Sequence, residues 1–202
     1  MENRLLKTII ISLFSLLFAT NVVFAVSKEE ARRQLEDSNL NYLSIKQFVE
    51  CAHEKDATTA KLFLDAGMDP NSKFMGIPIL LYTIEYKLPE VAKMLIEAGA
   101  NPNTSFGGET ALYIAIYMKQ PDVAISLLKK GANPNKGLTY IKGYTPLRVA
   151  IRRNQIEVVK LLLEKNADVK NKPLLRPSNI KLAHKKKFKE IEQMLLNNQN
   201  NK

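Results

Sequence analysis

The chain contains very few of the residues on which disulfides, metal sites and nucleophilic catalysis depend. Its 202 residues include one cysteine, Cys51, and two histidines, His53 and His184. A single cysteine excludes an internal disulfide. The histidines are more than a hundred residues apart, and neither has a cysteine or carboxylate at metal-ligand spacing. The sequence therefore indicates no metal site and no cofactor.

Cys51 and His53 are also a poor match for a nucleophile and its base. Residues two apart on a predicted helix point to different sides, and Cys51 has the place of a small buried side chain. The Gly107–Gly108 pair belongs to no phosphate-binding or dinucleotide fingerprint. We therefore expect no catalytic residue, and a protein that is not an enzyme.

The main feature that is present is a ten-residue phrase that occurs three times. The copies read LFLDAGMDPN, MLIEAGANPN and SLLKKGANPN, and their glycines, Gly67, Gly99 and Gly131, recur at one constant interval. The length of this interval is typical of a repeat array, in which each unit buries its apolar face only against its neighbours. Each glycine is predicted to end a helix, because glycine readily adopts the left-handed conformation of helix ends.

The other half of each period predicts the start of a second, shorter helix. GETALYIAI begins at Gly108 and GYTPLRVAI at Gly143, where Thr145 can cap a helix and Pro146 suits its first position. Together these motifs resemble the ankyrin repeat, a unit of about 33 residues with a T-P-L-H-x-A signature. The resemblance implies an all-α fold, an ankyrin-repeat solenoid of helix-turn-helix units linked by β-hairpin-like fingers. The family's histidine is absent from every unit, so its hydrogen-bond network between units is expected to be missing.

Five units follow in one register. Ser27 and Glu30 form the pattern of a capping box, which predicts a helix ahead of the first unit. The predicted organisation is a signal peptide at 1–25, a capping helix and linker at 26–43, repeat units at 44–75, 76–107, 108–142, 143–175 and 176–198, and a tail at 199–202.

The N-terminal segment, residues 1–25, has the layout of a secretory signal peptide. Arg4 and Lys7 precede an apolar stretch over 8–19, and a short segment ending at Ala25 suits signal peptidase. Cleavage there leaves a chain that begins at Val26 and has the size of one domain. The alternative is an uncleaved membrane anchor, because the apolar stretch can be extended to bilayer length. We expect a periplasmic or secreted protein, and the short signal with many Asn, Ile and Lys residues favours a bacterial source.

Positive charge is concentrated in the C-terminal third of the chain. Residues 26–135 carry 12 Lys and Arg against 14 Asp and Glu, whereas residues 136–202 carry 16 against 5. Such a field attracts anionic partners and accelerates their encounter. Three explanations stay open: a solvated face in a lysine-rich protein, an acidic protein partner, or anionic lipid or polysaccharide. Nucleic acid is not expected as a partner, because export separates the protein from it.

The fingers are the expected recognition elements, because loops on a rigid scaffold are exposed and variable. Phe74 and Phe106 occupy equivalent positions, which suggests an aromatic stripe. The third finger is longer than the other two, with Tyr140 and Ile141 near its tip. Aromatic residues with nearby arginine dominate interface energetics. The alternative is that these rings fold back onto their own finger or its neighbour.

We expect the protein to be a monomer. The sequence supports two hypotheses for its function. The first is an exported protein-protein interaction module that binds through finger loops and the concave inner-helix face. Its predicted partner-binding residues are Phe74, Phe106, Tyr140, Ile141, Arg148, Arg152 and Arg153. The alternative is a binder of anionic envelope surfaces that uses the basic C-terminal units. Its predicted residues are Lys185, Lys186, Lys187 and Lys189.

Overall fold

The computed structural model describes residues 26–141, 143–170 and 177–200. The predicted signal peptide at 1–25, the segment 171–176 at the junction of the last two predicted units, and residues 201–202 lie outside the described residues.

Within the described residues the chain forms eleven helices, one ahead of the array and two in each unit. The helices are α1 Lys28–Asp37, α2 Ile45–His53, α3 Ala57–Asp65, α4 Ile79–Glu85, α5 Pro89–Glu97, α6 Ala111–Tyr117, α7 Pro121–Lys129, α8 Pro146–Arg153, α9 Ile156–Glu164, α10 Asn179–Lys185 and α11 Lys189–Asn200.

Both ends of the helical array can be compared with the sequence prediction. The capping helix is confirmed as α1, and the Ser27 hydroxyl accepts a hydrogen bond from the Glu30 amide at 3.2 Å. The last helix continues to Asn200, so Gln199 and Asn200 extend the fifth unit and do not begin a tail.

The first two fingers are short antiparallel hairpins. Strand β1, Lys73–Phe74, pairs with β2, Ile77–Pro78, and β3, Ser105–Phe106, pairs with β4, Glu109–Thr110. Each hairpin turns through two residues that both have positive φ, which matches the right-handed twist of the paired strands. The β-hairpin-like fingers implied by the family resemblance are therefore present.

The helices stack in two layers. The first helices of the units form the inner layer, where α4, α6, α8 and α10 contact one another in succession, while α3, α5, α7, α9 and α11 form the outer layer. The inner helices approach closely because the same position in each unit holds a small buried residue. These residues are Cys51, Thr83, Ala115, Ala150 and Ala183.

The outer helices end as the repeated glycines predict. Gly67, Gly99 and Gly131 have φ angles of +98°, +97° and +91°, and Asn166 takes the same place in the fourth unit with φ of +61°. Asparagine tolerates this region better than other residues that carry a Cβ. The helix-closing role predicted for these four positions is confirmed.

Hydrogen bonds join the units even though the family's histidine is missing. The side-chain oxygen of an asparagine at each finger base accepts from a backbone amide of the next unit at 2.7 Å, and the pairs are Asn71 with Asn101, Asn103 with Asn133, and Asn135 with Asp168. Gln120 and Gln155 add bonds to the Ile84 and Ile116 carbonyls of preceding inner helices, at 2.6 and 2.9 Å. Asparagine and glutamine side chains therefore supply hydrogen bonds between units where the family's histidine is absent.

The third finger differs from the first two. Its described residues contain no strand, and its longer loop turns back onto the second finger. The Thr139 amide donates to the Gly108 carbonyl at 3.1 Å, and the Leu138 amide donates to the Tyr144 carbonyl at 3.1 Å. A Cβ on Gly108 would lie 2.8 Å from the Tyr140 ring, so the contact requires glycine there. The additional residues therefore connect two neighbouring fingers.

No helix in the parts of the chain that the structure describes has the length and apolar character needed to cross a bilayer.

Candidate interaction surface

One equivalent position near the C-terminal end of each inner helix changes its chemistry along the array. From the first unit to the fifth, this position holds His53, Glu85, Tyr117, Arg152 and Lys185. The inner-helix face therefore passes from rings and carboxylates to guanidinium and ammonium groups. Three groups of side chains follow one another along this face.

The first group, the histidine–tyrosine cluster, consists of His53, Phe74, Tyr82 and Tyr86. His53 Nε2 lies 2.6 Å from the Tyr82 hydroxyl, and the Tyr82 and Tyr86 rings stack with centroids 4.4 Å apart. The Phe74 ring meets Tyr82 edge-on at 5.5 Å. Burial raises the pKa of Tyr82, and the neighbouring Tyr86 adds to this shift. The cluster joins the first two inner helices and the first finger into one aromatic surface.

The second group, the tyrosine–arginine surface, consists of Tyr117, Tyr140, Tyr144, Arg152 and Arg153. The Arg153 guanidinium lies 4.5 Å from the centroid of the Tyr117 ring, and that of Arg152 lies 5.9 Å from the Tyr144 ring. Arginine over an aromatic face gains a cation–π attraction and leaves its donors available. Tyr117 is 49 % exposed and Tyr140 is 61 % exposed. This surface therefore combines ordered aromatic rings with accessible positive charge.

Tyr113 forms the floor of the tyrosine–arginine surface. Its ring stacks on Tyr117 with centroids 6.1 Å apart and an interplanar angle of 11°. Burial, reinforced by the Glu109 carboxylate, raises the pKa of Tyr113 to about 12. The Tyr140 hydroxyl donates to Glu109 Oε1 at 3.3 Å. The Tyr113 ring therefore supports Tyr117 by stacking, and Glu109 holds Tyr140 by a hydrogen bond.

The third group, the cationic groove, lies between α8 and α10 and has a volume of about 730 Å³. It is lined by Arg148, Arg152, Pro177, Leu182, Lys185, Lys186 and Phe188. Four of these residues are cationic and none is acidic. Because Arg152 belongs to both groups, the groove continues directly from the tyrosine–arginine surface.

The four predicted finger residues do not share one environment. Phe74 is half-buried against Tyr82, whereas Phe106 is 49 % exposed on the second hairpin. Tyr140 and Ile141 are exposed, and the Tyr140 ring leans on Gly108 of the second finger. Phe74 and Phe106 do occupy the same hairpin register, but of the two only Phe106 is open to a partner. The contact of Tyr140 with the neighbouring finger is the arrangement described by the alternative left open by the sequence, whereas Phe74 packs on an inner helix.

Arg148 corrects the sequence interpretation. Its side chain is 2 % exposed, and its Nη1 donates to the Pro177 carbonyl at 3.0 Å and to Asn179 Oδ1 at 3.2 Å. Asn179 is itself buried and donates to the Val169 carbonyl at 3.0 Å. Arg148 therefore links the fourth unit to the fifth from inside, while Arg152 and Arg153 lie at the surface.

The predicted lysines separate into two pairs. Lys185 and Lys186 line the cationic groove. Lys187 occupies the turn between α10 and α11 with φ of +60°, and Lys189 begins α11, both outside the groove lining.

Models of the ankyrin repeat match most of the array. A model of three ankyrin copies matches residues 48–137, and a single-repeat model matches residues 142–173. Together the two matches cover more than half of the chain. The chain belongs to the ankyrin repeat family. Among curated proteins no relative matches it.

Ankyrin repeats are general protein-protein interaction modules, and ankyrin repeat proteins are typically not enzymes. In this ankyrin repeat protein the prediction of a small buried Cys51 is confirmed. Burial raises the pKa of the Cys51 thiol, and the Asp56 carboxylate adds to the shift. A reactive cysteine needs the opposite shift, because the thiolate is the nucleophile.

Several members of the inner-helix face were not predicted from the sequence. They are His53, Tyr144, Leu182 and Phe188. The repeat register contained a signal for His53, since it aligns with Tyr117 and Arg152. The sequence contained no comparable signal for Phe188. This residue lies between α10 and α11, and its ring lines the groove only because of the path of the turn that follows α10.

Proposed function

We propose that this ankyrin repeat protein is exported and binds a protein partner through the tyrosine–arginine surface. The observation that carries the proposal is that exposed Tyr117 lies against the Arg153 guanidinium of the next inner helix, with exposed Arg152 on that same helix and exposed Tyr140 on the adjoining finger. Tyrosine and arginine are the residue types enriched where interface energy is concentrated.

The order already present in these side chains supports this proposal. Binding normally costs about 0.5–1.5 kcal/mol for each side chain that becomes immobilised. Tyr117 is stacked on Tyr113 and covered by Arg153, and the third finger is bonded to Gly108. Because these contacts exist before a partner arrives, less conformational entropy remains to be lost.

Charge favours an acidic partner for this surface. Arg152 and Arg153 continue into the groove formed with Lys185 and Lys186, so positive charge extends over two units. Complementary charge steers encounter and disfavours partners of the same sign. The alternative of an anionic envelope surface has weaker support, because Lys187 and Lys189 lie outside the groove and the four lysines do not line one common site.

A site-specific photo-crosslink tests the partner-binding proposal. Benzoylphenylalanine in place of Ile141, at the rim of the surface, is expected to attach covalently to a discrete protein in envelope preparations. Tyr117→Ala combined with Arg153→Ala should reduce that product at least tenfold, because hot-spot truncations typically cost about 2 kcal/mol or more. The control position is Lys129, exposed on the outer helix α7.

Two results would contradict the proposal. One is a product of equal yield from positions 141 and 129, since it would show contact without a preferred face. The other is a product from position 141 that survives the Tyr117→Ala and Arg153→Ala changes unchanged.

Export is proposed from the N-terminal sequence and has its own test. Processing is expected to leave Val26 as the first residue of the protein recovered from the envelope or the medium. Intact mass measurement distinguishes this species from the full 22.8 kDa chain. A chain recovered only from the cytoplasm, with residues 1–25 retained, would refute export.

A further inference from the structure

The cationic groove has a composition that points to one kind of ligand. Its volume of about 730 Å³ is within the range of ordinary ligand sites. Arg152 enters it from α8, while Lys185 and Lys186 enter it from the end of α10. Any anionic group that lies in the groove can therefore approach cations from two neighbouring units.

Within the part of the chain that the structure describes, no carboxylate offsets the charge of the three exposed cations of the groove. Among the described residues, none of Arg152, Lys185 and Lys186 forms an ion pair. The nearby Glu192 carboxylate on α11 instead contacts His184 Nδ1 at 3.0 Å. Cations that line one groove create a positive potential there, which favours an anionic ligand.

The groove also has apolar walls. Leu182 and Phe188 line it together with Pro177, and the Lys186 ammonium lies 5.8 Å from the centroid of the Phe188 ring. An inorganic anion would use the cations alone and leave these side chains in contact with water. A ligand that has a large apolar group between its negative charges uses both kinds of lining residue.

We propose that the cationic groove is the subsite for an acidic segment of the protein partner, with a large apolar side chain that lies against Leu182 and Phe188. Its carboxylates then face Arg152, Lys185 and Lys186. This inference rests on the proposed function, because the groove continues from the tyrosine–arginine surface through Arg152 and lets one extended segment cross both. It adds the chemical class of the segment and the groove in which that segment binds.

Fluorescence polarisation with a defined probe tests the inference. The probe is a decapeptide in which Asp and Glu alternate with Phe and Leu, labelled with a neutral fluorophore, and the control peptide has Asn and Gln in place of the acids. The full chain is expected to bind the acidic peptide at least tenfold more tightly than the control peptide. Lys185→Gln with Lys186→Gln should raise the Kd of the acidic peptide about tenfold.

A matched pair of lysines separates the groove from general charge attraction. Lys129→Gln with Lys130→Gln removes the same charge from an exposed site on the outer layer and should leave the Kd unchanged. Charge reversal provides a second check. The protein with both Lys185→Glu and Lys186→Glu should no longer bind the acidic peptide and should bind a peptide that has Lys in place of Asp and Glu. Phe188→Ala removes no charge and should raise the Kd of the acidic peptide severalfold.

Several outcomes would overturn the inference. Equal losses from the groove and outer lysine pairs would show non-specific attraction. Binding of phosphatidylglycerol vesicles that depends on Lys185 and Lys186, without binding of the acidic peptide, would assign the groove to lipid. If the peptide does not bind while the crosslink from position 141 persists, the subsite is wrong and the proposed function stands. If the peptide binds at the groove while that crosslink is absent, the proposed function is the part that fails.

Discussion

Replacing Arg148 with alanine is expected to detach the fifth unit from the array and to leave the first three units folded. The change removes two hydrogen bonds that a buried guanidinium donates to Pro177 and Asn179, and it leaves a void where a long side chain had packed. Hydrogen bonds to charged groups contribute about 1.5–3 kcal/mol each. We expect a loss of about 2–4 kcal/mol, concentrated where α8 meets α10.

Hydrogen exchange followed by mass spectrometry measures where this loss falls. Because repeat units are stabilised mainly by their nearest neighbours, amides of α10 and α11 should exchange at least about 30-fold faster, while those of α4 to α6 keep their protection. A loss of about 2 kcal/mol corresponds to that factor. Arg148→Met, which fills the volume without the donors, isolates the contribution of the hydrogen bonds.

The control for Arg148 is its neighbour one turn later on the same helix. Arg152→Ala removes the same charge from an exposed side chain and should change protection little. Equal acceleration in all five units, or the same result from Arg148→Ala and Arg152→Ala, would show that Arg148 does not act at the junction with the fifth unit.

Replacing Asn103 with alanine is expected to weaken the coupling between the second and third units. Its side chain accepts from the Asn133 amide at 2.7 Å and donates to the Gly131 carbonyl at 3.2 Å. Both bonds lie near the surface, so we expect a loss of about 1–2 kcal/mol in the free energy of unfolding. Urea unfolding monitored by circular dichroism should show a lower midpoint than that of the unchanged chain.

A conservative variant tests the assignment of Asn103. Asn103→Asp keeps the acceptor for Asn133 but loses the donor to Gly131, and its carboxylate lies near a helix C-terminus, where negative charge is unfavourable. It should retain part of the stability that Asn103→Ala loses. Identical midpoints for the unchanged chain and Asn103→Ala would show that asparagine is not the link between these units.

The recurrence of asparagine at this position explains how the array holds together without the family's histidine. The side chains of Asn71, Asn103 and Asn135 each accept a hydrogen bond from a backbone amide of the unit that follows. The phrases that revealed the repeat contain these same asparagines, so the signal was present in the sequence. Its meaning was not accessible there, because a side chain that bonds its own turn and one that bonds the next unit look alike in sequence.

The candidate surface was predictable only in part. Phe106, Tyr140, Arg152 and Arg153 lie at or beside the exposed inner-helix and finger face, although their role in binding is still a prediction. Arg148 was assigned to the same face together with Arg152 and Arg153, because all three lie on the inner helix of the fourth unit. A short helix has one side against its neighbours, and the sequence positions of Arg148 and Arg152, one turn apart, do not indicate which guanidinium is covered.

The sequence alone determined the repeat, its register, the closure of the outer helices at Gly67, Gly99, Gly131 and Asn166, and the start of α8. These are local properties: glycine and asparagine close helices through their own backbone conformations, and Thr145 with Pro146 starts one through its own cap. Tertiary structure decided which side chains are exposed, that the longer third finger folds onto the second, and that Arg152, Lys185 and Lys186 meet in one groove. Those outcomes depend on contacts between residues a full repeat apart, and their distances are set by how the units stack.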